Sequence, residues 1–529
     1  MVKKNQPKNQ TKIVYRKKDT QNPAENTQST HTFSRPKTVS VLVTDENRSS
    51  ILRKIIIRAE MESKSPLRIG SQNNDDLIDI LVLKDKNGQS FIPGTSIAGV
   101  LRAELEAVYG SEPVNKLFGY EKDVSGHQSL ITVNDIVLKN TELVYRDGVS
   151  IDSLTGTAIK QHKFDYEAIE RGARGELVLE MTIRYHDVSR EELPIVTYLH
   201  KEYDAAGDIY GEFAATICDL LTQGIHLGAL TTKGFGIIKA RSTVDRKVES
   251  TAKYYDFLFT DNKKAATQWL DYIGGGNLPV ASYIGHAEQI VVKDDFKVDL
   301  DFALQSSLLI ADDVDYEENK DKTDAVAAVQ LKSRNQFVIP GTSIKGVLRN
   351  RALQILLKLN NNKLGEAEEF INSFMGYAVE STGESKKSKL IVEEVYIDNI
   401  YVKPVKHHRI RIDRFTGSVM DGVGALFTVE PIWQQDKDLA PVHISFNVKK
   451  CSRQQAGLML LLIKDLWLGN LAVGSGKGIG RGILKGRAGI IRYKKKEFKL
   501  GNENSEFTVA ENGAVLAGYV QELVGGLNG

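Results

Sequence analysis

At 529 residues the chain is longer than one hydrophobic core organises, so two core domains of roughly 200 residues each plus connecting segments are expected. Hydrophobic residues make up 41% and charged residues 26%, proportions that exclude a wholly disordered chain. A net charge of only +2 excludes bulk basicity as a route to nucleic acid, leaving any RNA affinity to local patches.

Cys218 and Cys451 stand far apart without CxxC or Cys/His spacing, so neither a disulfide framework nor a zinc site is expected, which fits a reducing, cytoplasmic location. The longest apolar stretch, GLMLLLI, stops at Lys464 and Asp465, far short of the roughly 18 residues of a spanning helix. No apolar segment follows the opening MVKKNQPKNQTK. Neither a secretory signal nor a membrane partner is expected.

Residues 1–45, rich in Lys, Gln, Asn and Thr, have the composition of a disordered basic arm. A first domain is expected over 46–245, a connector over 246–295, a second domain over 296–500 and a C-terminal tail over 501–529. The first domain opens with ILRKIIIRAEM (51–61), whose alternation predicts a half-buried strand. FIPGTSIAGVLRAEL (91–105) follows. Its Pro-Gly ends a strand, Thr95 or Ser96 is placed to cap a helix, and Ile97, Val100, Leu101 and Leu105 fall on one helical face. Next come LFGY (117–120), GVSIDSLTGTA (148–158), the strand GELVLEMTIRYH and the glycine-rich HLGALTTKGFGIIKAR (226–241).

The connector, with YYDFLFTDNKKAATQWLDYIGGGN, reads as helical with a glycine-rich end. After it the pattern returns in order. FKVDLDFAL (296–304) is the strand, FVIPGTSIKGVLRNRAL (337–353) the helix start with Ile344, Val347, Leu348 and Ile355 on its face, and FMGY (374–377) follows. Then come IRIDRFTGSV (410–419), the strand HISFNVKK, the amphipathic helix GLMLLLIKDLWLG and the glycine-rich WLGNLAVGSGKGIGRG (467–482). The core IPGTSIxGVLR is identical at ten of eleven positions between the copies, which establishes a duplicated domain. By letters the copies are offset by 247 from Pro93 to Pro340, 261 from Gly156 to Gly417 and 244 from Gly234 to Gly478. Strand, helix, strands, helix, strand predicts α+β architecture: two tandem ferredoxin-like or RRM-like domains, a class that offers an open sheet and loops to RNA.

Three features carry candidate RNA contacts. The helix start joins a backbone turn, Ser96 or Ser343 and a helix N-terminus, with Lys345, Arg102 and Arg349 on the polar side. In the glycine-rich stretches Lys233, Gly234 and Gly236, and Lys477, Gly478, Gly480 and Arg481, offer close backbone approach and positive charge. They lie after a helix and before a strand, the reverse of a dinucleotide-binding loop, and neither is a P-loop. The run KPVKHHRIRIDR (403–414) places Arg409, Arg411 and Arg414 on an alternating segment, and KGRAGIIRYKKKEFK (485–499) is a second basic run. For each run a solvated strand face is as good a reading as RNA contact.

On the hydrophobic-Pro-Gly-Thr-Ser helix start, the IDRFTG-type segment and the C-terminal glycine-rich loop, each present twice in the same order, the chain resembles the RAMP superfamily of CRISPR-associated proteins. It is similar in particular to backbone subunits of type III effectors, here two fused in one chain in a III-D-like manner. The resemblance covers about 400 residues and implies a thumb hairpin inserted in each domain, near 148–167 and 409–430, that interrupts a guide–target duplex. It also implies guide RNA, target RNA and the other effector subunits (large polymerase-like, backbone and small) as partners. The implied activity is metal-dependent target-RNA cleavage at two sites, assisted by Mg2+ or Mn2+ at an acidic residue in the loop before each Pro-Gly motif and leaving a 2′,3′-cyclic phosphate and a 5′-hydroxyl. In this sequence those residues are Asp79, with Asp75 and Asp76 as neighbours, and Asp324, with Asp321 nearby. Asp79 lies fourteen residues before Pro93 and Asp324 sixteen before Pro340. A non-catalytic guide-binding scaffold is the alternative, and guide-precursor processing through His407 or His408 a further one.

Overall fold

Each half of the molecule is built on one antiparallel sheet whose central strand opens the half. The computed structural model describes residues 49–527 apart from 71–80, 123–124, 152–157, 189–207, 244–248, 260–262, 287–293, 314–325, 379–383, 421–425, 437, 504–505 and 510–511. All of these belong to one compact unit, Arg48–Gly529. The basic arm expected over 1–45 lies outside the described residues.

In the first half, Ile51–Ser63 pairs with Arg174–Arg184 on one side, and Ile131–Val133 adds beyond it. On the other side the C-terminal part of Ile51–Ser63 pairs with Ile237–Ala240, and its N-terminal part with Lys253–Leu258. With helices Gly94–Tyr109 and Ile209–Gln223 this gives βαββαβ connectivity and sheet order 4-1-3-2. The second half repeats it: Leu484–Tyr493, Phe296–Leu304, Val442–Val448 and Leu390–Val392 lie in that order, with helices Gly341–Leu359 and Arg453–Trp467. The fold is α+β, with two tandem ferredoxin-like domains.

The sheets form where the sequence alternates. Phe296, Val298, Leu300 and Phe302 turn into the second core, while Lys297, Asp299 and Asp301 are only half-buried. The first helix buries Ile97, Leu101 and Leu105, and its counterpart Ile344 and Leu348. Neither is capped by its own threonine or serine: Pro93 and Pro340 are the cap residues and no side-chain cap bond forms. In the first copy Asp135, forty-one residues on, accepts the Gly94 N–H at 2.7 Å, supplying from a distance the acceptor that a helix N-terminus requires.

Two segments outside the expected domains take part in the sheets and cores. Within the connector, Lys253–Leu258 is a strand of the first sheet, continuing the line of Ile237–Ala240 after a short paired excursion, Ser242–Thr243 with Glu249–Ser250. Helix Lys263–Ile273 covers it through Trp269, whose ring meets Phe257 at 5.4 Å and lies under the Lys54 ammonium. Lys496–Glu503, which runs from the end of the expected second domain into the tail, and Glu506–Val509 within the tail extend the second sheet. Helix Gly513–Leu527 inserts Leu516, Tyr519 and Leu523 into the second core, a spacing that keeps all three on one helical face.

Candidate nucleic-acid interface

Between the second and third strands of its βαββαβ unit each half carries an inserted hairpin. The first runs Leu143–Ile151 and returns Ala158–Ile169; its tip, 152–157, lies outside the described residues. The second pairs His407–Ile410 with Leu426–Glu430 and continues outward through an Ile412–Val419 bridge. At its tip the Asp413 carboxylate accepts the backbone N–H groups of Phe415 and Thr416, both at 2.8 Å. These two bonds favour the charged form and hold the Asp413 carboxyl below the usual carboxylate range. The turn they fix presents Phe415 fully exposed, with Ile410, Ile412 and Val419 also more than half exposed. Arg411 and Arg414 are exposed beside them, and the Arg409 guanidinium lies 5.7 Å from the Phe427 ring centre. Exposed apolar side chains interleaved with arginines suit a polyanion that also offers flat bases to stack on.

The open sheet face of the second half is a different surface. Arg492 donates to Asp299 at 2.9 Å, Ser445 donates to Asp299 at 2.8 Å, and His443 lies 2.6 Å from Asp301. This partly acidic, internally bonded network lacks the stacking aromatics of an RNA-reading sheet, so the features suited to RNA concentrate on the hairpins and loops.

The two glycine-rich loops have the same backbone and different surroundings. Each contains a 3-10 turn, Thr231–Lys233 or Lys477–Ile479, approached through a left-handed residue (Leu230, Gly476) and left through a left-handed glycine (Gly234, Gly480). Two residues on, Gly236 and Gly482 have φ of +79° and +77°, and a Cβ on either would collide with the carbonyl oxygen of Leu227 or Val473. Only glycine satisfies both conditions. The structural match is therefore Gly234 with Gly480, two residues from the match of letters, and it sets Phe235 opposite Arg481.

The first loop is docked on the second half. Gly234 and Gly236 are buried, Gly234 lies against Glu394, and a Cβ on Gly341 would meet the Lys233 and Val392 carbonyls at 2.5 Å. Lys345, expected on the polar side of its helix, is buried at this contact and donates to the carbonyls of Thr232 at 3.2 Å and Leu390 at 3.0 Å. Its donors are taken by these carbonyls and are not offered to a phosphate in this arrangement; the other half covers what the helix alone would expose. Burial, Lys233 and Arg349 push the Lys345 amine down to about 7, and a neutral amine has two N–H bonds for its two acceptors. Lys233 is likewise lowered, by burial and by Arg68.

An amine protonated up to its ordinary value in the unfolded chain and only to about 7 in the fold binds fewer protons when folded between those limits, so stability rises with pH through that window. The thermal midpoint should climb from pH 7 toward 9, and Lys345→Met should flatten that climb. A profile that Lys345→Met leaves unchanged would contradict the assignment.

The motif arginines serve the fold as well. Arg102 bonds to Asn115 and Glu106, and Arg349 donates to Gly376 O at 2.9 Å and to Asn372. Both tie the helix to the one that follows it. Ser96 and Ser343 stay half-exposed on the first turn. In the second loop Lys477, Gly478 and Gly480 are exposed, whereas Arg481 is 4% exposed, its Nη2 3.0 Å from His407 Nδ1. Trp433 Nε1 approaches the other ring nitrogen of His407 at 3.3 Å. Burial and the cations Arg481 and Arg409 lower the His407 pKa, and the uncharged ring has one acceptor nitrogen to offer these two donors.

Asp79 and Asp324, with Asp75, Asp76 and Asp321, lie outside the described residues. Their flanks are placed. Gly70 bridges Val82, and Ala311 pairs with Gln330, so each acidic segment leaves and rejoins the fold through a short antiparallel ladder. Asp79 stands three residues before Val82, and Asp324 four before Ala328, which pairs with Asp313.

The family model of the RAMP superfamily matches residues 60–239 and again 272–485, one match to each ferredoxin-like half. The chain belongs to the RAMP superfamily. As a RAMP protein it is a CRISPR-associated RNA-binding protein. No curated protein matches the chain. No helix among the described residues of this RAMP protein is long and apolar enough to cross a membrane. Sequence reasoning passed over Arg68, Arg146, Trp433 and the exposed tip residue Phe415; of these, the Phe in IDRFTG was the one with a visible signal, an apolar residue inside a polar turn.

Proposed function

We propose that this RAMP protein is a backbone subunit of a type III CRISPR effector, III-D-like in fusing two backbone domains, that holds guide RNA along both halves and cuts complementary target RNA at two places. The observation that carries the reading is the repetition, in one chain and at the same topological positions, of the helix start, the inserted hairpin, the glycine-rich loop and an acidic segment before the helix. Its partners would be guide RNA, target RNA and the remaining effector subunits, in the cytoplasm.

Cleavage is assigned to Asp79 and Asp324. A hairpin carrying an exposed residue such as Phe415 wedges into the guide–target duplex and leaves one target nucleotide unstacked. Its 2′-oxygen can then line up with the adjacent phosphorus. The 2′-oxygen bonds to phosphorus as its proton passes through an ordered water to the aspartate, and the bond to the 5′-oxygen breaks. A 2′,3′-cyclic phosphate and, once the leaving oxygen is protonated, a 5′-hydroxyl result. No group of three or more His, Cys, Asp and Glu among the described residues is arranged to hold a metal ion. One aspartate per site with RNA phosphate oxygens and water is nevertheless a donor set that Mg2+ or Mn2+ accepts. When bound, the ion would offset the negative charge that develops on the phosphate.

The reconstituted effector, given a complementary target in Mg2+ or Mn2+, should yield two cuts at a fixed spacing, each abolished by a 2′-deoxynucleotide at that position. Target binding without cleavage would replace this reading with that of a guide-holding scaffold. Guide processing through His407 is disfavoured because Arg481 and Trp433 stand against its two ring nitrogens.

A further inference from the structure

Where each hairpin meets its glycine-rich loop, the fold buries a guanidinium without giving it a carboxylate. In the first half this is Arg146, on the outgoing hairpin strand directly opposite Tyr166. It is 6% exposed, and both terminal nitrogens are shielded from solvent with no hydrogen-bond partner. Tyr166 packs edge-on against Phe235 of the loop at 5.7 Å, and the Arg68 guanidinium lies 4.8 Å from the Tyr166 ring centre. Arg68 is itself 7% exposed with its Nε unpartnered, and it is close enough to Lys233 to lower that amine. Three cationic side chains thus converge on one joint.

The second half makes the same joint from exchanged positions. Leu143 opposite Ile169 and Pro404 opposite Ile432 mark equivalent points of the two hairpins, because Ile169 bridges Leu67 as Ile432 bridges Leu308. Counting outward from those points, His407 occupies the place of Arg146. The loop match above puts Arg481 in the place of Phe235. The guanidinium comes from the hairpin in one half and from the loop in the other. Like Arg146, Arg481 is almost fully buried and has no ion pair with a carboxylate among the described residues; its neighbour is His407. Two different residues supplying the same charge at the same point argue for a shared ligand rather than a shared fold contact.

A buried cation left unpaired is costly, and proteins keep one where a ligand completes it. Among the carboxylates with electrostatic influence at the first joint, the one acting most strongly on Tyr166 is Glu394 from the other half. Burial, against the pull of Arg146, raises it to about 7, and its Oε1 is also without a partner. A protonated Glu394 leaves the joint cationic and can itself donate to an anion.

We infer that each hairpin–loop joint seats one backbone phosphate of bound RNA, held by Arg146 with Arg68 in the first half and by Arg481 in the second. Arginine suits this because its planar donors match two phosphate oxygens at once. The inference rests on the RNA-binding reading above, and adds two register points at which the backbone is pinned beside each acidic segment.

The test is the salt dependence of binding of a fluorescent, unstructured single-stranded RNA to the full chain, with Arg146→Gln, Arg481→Gln and both, and with thermal midpoints measured on the same preparations. Each single variant should reduce the slope of log affinity against log salt by about 0.7, the share of one phosphate contact on a single strand. The double variant should lose about twice that, and the midpoint should hold or rise as a buried, unpaired charge is removed. An unchanged slope in a chain that binds RNA overturns the inference alone. So does a slope that falls only together with the midpoint, since Arg146 would then be completing the fold through Glu394. If the unaltered chain shows no salt-dependent binding, the RNA-binding reading and the inference fail together.

Discussion

In the assembled effector, Asp79→Ala should abolish one of two target-RNA products and leave the other, and Asp324→Ala should do the converse. The expected loss at each site is about 100-fold or more, the scale on which removing a positioned proton acceptor acts. The double variant should bind target normally and cut nowhere. The structure supplies the frame for this expectation in the ladders that flank both segments, Gly70 with Val82 and Ala311 with Gln330. Because several acids share each segment, Asp321 and Asp324 should be tested together in the second half, and Asp75 and Asp76 with Asp79 in the first. Gel analysis of end-labelled target reads the outcome. Either single variant leaving both products intact would withdraw that aspartate from the cleavage role.

The second large effect concerns stability. Arg53, on the central strand of the first sheet, is 4% exposed and joins two carboxylates, Asp208 at 2.8 Å and Asp256 at 2.5 Å. Asp208 immediately precedes helix Ile209–Gln223, and Asp256 sits on the strand Lys253–Leu258. One guanidinium therefore fastens the central strand to a helix N-terminus and to the strand that continues the sheet. Burial opposes the charge, but Asp256 and Asp208 together hold the Arg53 pKa above its usual value. Arg53→Ala would leave two buried carboxylates facing each other without a cation, and breaking a buried pair in this way costs about 3–5 kcal/mol. Denaturant unfolding should show that loss. A triple Arg53→Met, Asp208→Asn, Asp256→Asn variant should recover much of it, because no charge is then stranded. A loss below about 1 kcal/mol in Arg53→Ala would mean that water reaches the carboxylates.

Much of this was legible in the sequence because the letters repeat. IPGTSIxGVLR occurs twice, and alternation in ILRKIIIRAEM and FKVDLDFAL marks the central strands, so the duplicated ferredoxin-like order followed. What stayed hidden depends on contacts between distant segments. KYYDFL has no helical or strand period strong enough to announce that it pairs with Ile51–Ser63. Lys345 lies on the polar side of its own helix by spacing, and only the docking of the first glycine-rich loop buries it. Arg102 and Arg349 look available until Asn115 and Asn372 on the following helices claim them. The helix start at Gly94 is completed by Asp135, a partner no local pattern could name. The joints at Arg146 and Arg481 escaped for a further reason. The charge comes from different elements in the two halves, so comparing the copies letter by letter aligns Arg146 with a histidine and Arg481 with Ile237, and only the backbone match sets Arg481 opposite Phe235.

This RAMP protein is expected to carry RNA on two equivalent surfaces, one per half, centred on the inserted hairpins. Photocrosslinking of guide and target RNA in the assembled effector, followed by mass spectrometry of the crosslinked peptides, tests it most directly. Crosslinks should fall in both hairpins, Leu143–Ile169 and His407–Glu430, with Phe415 among the residues modified. Crosslinks confined to one half, or gathered on the Asp299–Asp301 sheet face and absent from the hairpins, would contradict it.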